Sequence, residues 1–242
     1  MVRMGDKKGS HVGVVISFII FVMFILFLYS IAQPSFKEEQ NEEALMVYLE
    51  NKMMANTTST LTVITVNVSN TGGQNCIQLN ELSNNFGLLN RIYAWDDEQV
   101  STPSGVHQNN VRINRLNNDD TFFKIYYSEH FYLSGDSSGW ACDNLDENTG
   151  YTLGATKYEK YVFESIISDL IDDYYINYEK LKTDLEIPRS FEFGFGLVFS
   201  NGTITETPTP SALKNVYVRD IPIQYVSDRG EIESGFLKLK SW

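Results

Sequence analysis

The sequence predicts an α+β protein, with a long N-terminal hydrophobic helix followed by an extracytoplasmic domain in which helices pack an antiparallel sheet. Three observations predict it. The uncharged run Val12 to Ala32 is long enough to cross a bilayer, since a spanning helix needs about 20 apolar residues, and nothing after Ala32 repeats it. Phe163, Ile166, Ile167, Leu170, Ile171, Tyr174, Tyr178, Leu181 and Leu185 recur at spacings of three and four, the period of a helix with one apolar face. Phe191, Phe193, Phe195, Leu197 and Phe199 alternate with Glu192, Gly194, Gly196 and Val198, the period of a strand with one buried face.

Residues 1–11 form a basic leader and 12–32 the membrane helix. Arg3, Lys7 and Lys8 precede the apolar run, whereas Glu38, Glu39, Glu42 and Glu43 follow it, so the leader is expected in the cytoplasm and the C-terminal domain outside. A cleavable secretory signal is the rival reading, with Ser30, Ala32 and Ser35 as small residues near a cut. Residues 33–57 read as a helical stalk: Ser35 and Glu38 have capping-box spacing, and Leu45, Met46, Tyr48, Leu49, Met53 and Met54 supply an apolar face. Pro34 is expected to bend or interrupt the join.

The extracytoplasmic domain occupies 58–242. Leu61 to Val68 is dense in Val, Ile and Thr and runs into Ser69–Gly73, a strand and its turn. Arg91 to Trp95, Val111 to Leu116 and Phe122 to Tyr127 are short candidate strands. A helix is expected from Tyr158, with Glu164, Ser168, Asp169, Asp172, Asp173, Asn177 and Lys180 on its solvated side, and Pro188 stops it. Asn201-Gly202 signals a hairpin into Thr203 to Thr205, and Val216 to Val226 and Ile232 to Lys240 are strands joined through Ser227-Asp228-Arg229-Gly230.

A net charge of −12 without any Lys/Arg run in the domain excludes nucleic acid as a partner, because phosphate binding needs clustered cations. Cys76 and Cys142 are the only cysteines, and outside the membrane they are expected to form a disulfide, two free thiols being the other reading. Asn56, Asn67 and Asn201 head Asn-x-Ser/Thr glycosylation sequences. His107 and His130 belong to no metal-ligand pair, and no HExxH, GxSxG, Walker loop or dinucleotide fingerprint occurs, so neither a catalytic residue nor a cofactor is expected. Asp136, Asp143 and Asp146, with Asn144 and Asn148 around Cys142, are candidate oxygen ligands for calcium, although the spacing is not that of an EF-hand. Trp95, Trp140 and Trp242 are candidate sugar-stacking residues, with core packing as the other fate. A monomeric anchored module binding a glycan or a cation is therefore the alternative function.

Lys7-Lys8-Gly9, followed by Ser10 and the apolar run, resembles the class III leader of archaeal type IV pilin-like and pseudopilin proteins. The resemblance implies cleavage after Gly9, a mature N-terminus at Ser10, an α+β head on the helix, and packing of Val12 to Ala32 against membrane lipid or the same helix of other subunits. The stretch from Ile221 to Trp242 is similar to the C-terminal hairpin of archaeal proteins with this leader. Val14 stands where the family often carries a Glu that sets subunit register, so that contact is not carried over. The implied role is a structural surface subunit.

Overall fold

The computed structural model describes residues 10–69, 73–117, 119–135, 137–208 and 216–242; in its first helix the side chains described are those of 12–30 and 43–57. The chain forms two compact units, Met1–Leu49 and Glu50–Trp242. Helix α1 (Ser10–Thr57) begins in the first and ends in the second.

Pro34 does not interrupt α1, and the capping box expected at Ser35 and Glu38 falls in a helix interior. A proline forfeits one i→i−4 bond, while the N–H groups of 36–38 still find carbonyls one turn back, which leaves a cap nothing to satisfy. The helix ends at Thr57, whose Oγ1 donates to the Met53 carbonyl at 2.8 Å. Strand β1 (Thr58–Val68) follows without an intervening residue.

The second unit is predominantly sheet. Its elements after β1 are β2 (Cys76–Leu79), α2 (Leu82–Phe86), β3 (Ile92–Trp95), β4 (Ser101–Thr102), β5 (Ser104–His107), β6 (Asn110–Asn114), β7 (Phe122–Tyr127) and β8 (Cys142–Leu145). Then come β9 (Tyr151–Phe163), α3 (Glu164–Asp184), β10 (Phe193–Val198), β11 (Ile204–Glu206), β12 (Tyr217–Val226) and β13 (Ile232–Ser241). A nine-stranded sheet has the order β11-β10-β13-β12-β9-β1-β7-β3-β4, and a four-stranded sheet the order β5-β6-β2-β8. Pairing is antiparallel except for β12 with β9 and β2 with β8.

Strand β1 lies inside the large sheet between β7 and β9. Leu61, Val63, Ile64, Val66 and Val68 are buried there, on both faces, which explains an apolar run that does not alternate. One face carries Ile64, Val66, Ile92, Ala94, Phe123 and Ile125 into a buried cluster with Ile77, Leu79, Val111, Ile113 and Leu145 of the small sheet. This is sheet-on-sheet packing, and each such side chain contributes about 1.5–3 kcal/mol on burial.

At the small-sheet end the short helix α2 adds Leu82 to that cluster, and at the other end the cover is α3. Tyr158–Phe163, expected in a helix, are the last residues of β9, and α3 begins only at Glu164. Tyr158, Tyr161 and Val162 are β-formers held by β1, where Thr58 faces Val162 and Thr62 faces Tyr158, so long-range pairing prevails over a helical spacing. Ile167, Ile171 and Leu181 of α3 are buried. Its Tyr174 ring lies 6.2 Å from both Phe193 and Phe195, and Tyr178 stacks 5.6 Å from Phe193. The helix breaks its geometry at Asn177 (φ −155°, ψ 81°), whose Oδ1 accepts the Lys180 N–H at 3.0 Å as a new cap.

The alternation in β10 places Phe193, Phe195 and Leu197 in the core, with Phe195 opposite Leu239 and Leu197 opposite Leu237. Gly196 between them is required by close approach, because a Cβ there would collide with Glu206 of β11. The Asn201-Gly202 turn forms as expected: Gly202 takes φ +82°, and Asn201 Oδ1 accepts the Thr203 N–H at 2.9 Å.

Candidate functional site

The most conspicuous surface belongs to the first unit. Among its described side chains, every large apolar one from Val12 to Tyr29 is exposed, and the 12–30 stretch of α1 is long and apolar enough to cross a membrane with none of it buried. Water makes this costly: at about 1.5–3 kcal/mol per large apolar side chain, the exposed set amounts to some tens of kcal/mol. A signal sequence passes the same test of length and composition. Gly9 lies outside the described residues, and Ser10 is the first residue of α1.

The cysteines are joined. Cys76 and Cys142 form a disulfide with Cα atoms 4.4 Å apart, at facing positions of the parallel pair β2–β8. The candidate cation ligands are therefore not a free loop: Asp143 and Asn144 lie on strand β8 itself. Asp143 Oδ2 accepts the Gln74 N–H at 3.1 Å, Gln78 Nε2 donates to Asn144 Oδ1 at 2.7 Å, and Asn80 Nδ2 donates to Asp146 Oδ1 at 2.8 Å. These oxygens hold β8 to its neighbours. Asp136 lies outside the described residues, and among those described no group of three or more His, Cys, Asp or Glu is placed to hold a metal ion.

Asn56, Asn67 and Asn201 are all exposed. His107 is half-buried at the end of β5; His130 is half-buried, its ring 5.7 Å from Phe163. Trp95 and Trp140 line different clefts, and the Trp242 ring lies against Gly194.

A feature the sequence did not disclose is a groove on the face of the large sheet turned away from the small one. Register places Trp95 opposite Lys124, Lys124 opposite Thr65, Tyr126 opposite Val63, and Val63 opposite Lys157, so these side chains share one face. A cleft of about 280 Å³ is lined by Trp95, Asp96, Gln99, Lys124 and Tyr126 on one side and by Gly230, Glu231 and Ile232 on the other. Lys124, Tyr126 and Ile232 also line a second lobe of about 160 Å³ that reaches Thr65, Lys157 and Glu159.

The walls of this groove are fixed. The Trp95 and Tyr126 rings meet edge-on at 6.5 Å. Asp96 is 3% exposed, and its Oδ1 accepts the Val100 N–H at 2.8 Å, while Gln99 is held at φ +61°. Opposite them, Tyr93 Oη donates to the Asp228 carbonyl at 2.6 Å. Gly230 takes φ +77°, where a Cβ would strike the Tyr93 ring. Burial, with the Glu159 carboxylate second, pushes the Tyr126 hydroxyl above its ordinary pKa, so it remains a neutral donor and acceptor at pH 7.

Asp228 of the turn that forms the second wall lines a cleft with the carboxylates Glu164 and Glu233. Burial raises Glu164 against the opposing hydrogen bond from the Asp228 N–H, and burial followed by Asp169 raises Asp228. Hydrogen bonds from Ser200 and Tyr225 lower Glu233. The Glu164 carboxylate accepts the Asp228 N–H at 3.1 Å, and Asp228 Oδ1 is buried without a hydrogen-bond partner.

No protein-family model matches the chain, and comparison with curated proteins and with solved structures gives no match.

Proposed function

We propose that this protein is a single-pass, membrane-tethered surface subunit of pilin-like type, with a structural rather than catalytic role, its N-terminus cytoplasmic and its Glu50–Trp242 unit outside. The observation that carries the reading is the exposed apolar stretch 12–30 of α1. A helix apolar all round is solvated by lipid or by copies of itself, so one segment serves as anchor and as assembly surface. The leader Lys7-Lys8-Gly9 before Ser10 supports pilin-type processing, and the Cys76–Cys142 disulfide suits an oxidising exterior.

The test is the N-terminal residue and intact mass of the full chain extracted from membranes after an alkaline wash. A membrane-retained chain beginning at Ser10 is the expected result. Release of a soluble chain cut near 30–35 overturns the anchor, and a retained chain still carrying Met1–Gly9 overturns the pilin-type processing. A cysteine placed at Ile20 is further expected to crosslink copies of the processed chain within the membrane.

A further inference from the structure

We propose that the Trp95–Lys157 groove is a saccharide site that takes an acidic sugar, of the hexuronic acid class. A pyranose ring presents an apolar C–H face and a polar rim, and the groove offers the complement of both. Trp95 and Tyr126 provide aromatic surface, while Gln99, Lys124 and Glu231 provide donors and acceptors around it. Its two lobes, about 280 and 160 Å³, together fall in the range of small-molecule sites, roughly 300–1,000 Å³, and their meeting at Lys124 and Tyr126 suits two linked rings.

The charge of the ligand follows from the lysines. Lys124 and Lys157 both line the inner lobe, and among the described residues neither is in an ion pair. The inner lobe thus sets two ammonium groups, Lys124 and the exposed Lys157, against one carboxylate, Glu159, while Asp96 and Glu231 line the outer lobe, so the inner lobe is where a ligand carboxylate is favoured and the outer lobe where an uncharged ring face and its hydroxyls fit. Glu159 is oriented by a hydrogen bond from Tyr161 Oη at 3.0 Å. Preorganisation supports the assignment: the Asp96–Val100 hydrogen bond fixes one wall and the Tyr93–Asp228 hydrogen bond the other, so little ordering remains to be done on binding.

The test is titration of the detergent-solubilised full chain with di- and trisaccharides of galacturonic acid and with the matching neutral galactose oligosaccharides, followed by calorimetry and by tryptophan fluorescence. Saturable binding of the acidic series is expected, at least tenfold tighter than the neutral one and weakened by added salt. Trp95→Ala is expected to weaken both series at least tenfold. Lys157→Gln, at an exposed position, is expected to keep the wild-type urea midpoint and to abolish the preference for acid over neutral sugar. Absence of saturable binding to either series overturns the proposal, as does binding that Lys157→Gln and Trp95→Ala leave unchanged. Equal affinity for the two series overturns the acidic class.

Discussion

The part of the Glu50–Trp242 unit built from β1–β8 and the part built from β10–β13 bury one large sheet by different means. In the first, β2, β3, β5 and β8 are only four residues long, and the cover is a second sheet. Such short ladders hold few bonds each, and the chain adds the Cys76–Cys142 disulfide and the Gln78–Asn144 hydrogen bond between β2 and β8, and the Asn80–Asp146 hydrogen bond between the residues that follow them. In the second, β12 and β13 are ten residues each and fix their own register through a turn. The cover there is α3, and the polar groups are spent on seating it. Lys182, 3% exposed, donates to Glu192 Oε1 at 3.2 Å and to the Arg189 carbonyl at 3.1 Å, while Tyr178 Oη donates to Glu192 Oε2 at 2.6 Å. The staple thus falls in the small sheet, between two four-residue strands.

The sharpest way to break this comparison is to remove the staple. The disulfide closes a sequence separation of 66, for which the chain-entropy relation gives about 4 kcal/mol. Cys76→Ala with Cys142→Ala is expected to lose about that much, and hydrogen exchange is expected to accelerate in β2, β6 and β8 ahead of β12 and β13. Uniform acceleration through both parts would show that they open as one unit and that the contrast has no energetic content.

A smaller effect is expected from the helix-covered part. Glu192→Leu leaves the Lys182 ammonium buried without its carboxylate and strips Tyr178 of its acceptor. The Glu192 side chain is 35% exposed, which moderates the penalty to about 2–3 kcal/mol. Burial, with the Glu192 hydrogen bond second, drives the Tyr178 hydroxyl well above its ordinary pKa. The variant is therefore also expected to bring this tyrosine's alkaline titration down, as read by ultraviolet difference absorbance. A Glu192→Leu protein with unchanged urea midpoint and tyrosine titration would show that α3 is seated by its aromatic contacts alone.

The same contrast explains what the sequence disclosed. The alternation from Phe191 to Phe199, the Asn201-Gly202 turn and the hairpin across Ser227–Gly230 are local signals, and β10–β13 follow them closely. The apolar run of α1 is equally local. Strand β9 carries no such mark: its burial is irregular along Tyr151–Phe163, and what makes it a strand is β1, far away in sequence. The disulfide was expected from cysteine count and compartment, but the parallel pairing of β2 with β8, which turns a supposed ligand loop into a strand, comes from contacts across 66 residues. The groove was least legible. Trp95, Lys124, Thr65 and Lys157 come from four strands, and only the register of the large sheet lines them up.

The seam between the two parts gives the smallest and most diagnostic effect. The Ser227–Gly230 turn of the second part is tied to β3 of the first through Tyr93, and Asp228 in that turn has a carboxyl raised by burial and by Asp169. A carboxyl raised in the folded state binds its proton more tightly there than in the unfolded chain, so it costs stability at neutral pH, and that cost is relieved as pH falls through the raised value. Glu164 acts in the same direction. Glu233 acts oppositely and at lower pH, because its lowered value gives stability above the ordinary carboxylate range that is lost as pH falls through it. Asp228→Asn removes a partly solvated charge with one buried, unpartnered oxygen, and after solvent screening its gain at pH 7 is expected to be under about 1 kcal/mol. Urea unfolding of the detergent-solubilised full chain at pH 7 and pH 5 checks it. The variant should be the more stable at pH 7, and the difference should shrink at pH 5 as the wild-type carboxyl protonates. A variant less stable at both values would mean that the Asp228 charge holds the seam together instead of straining it.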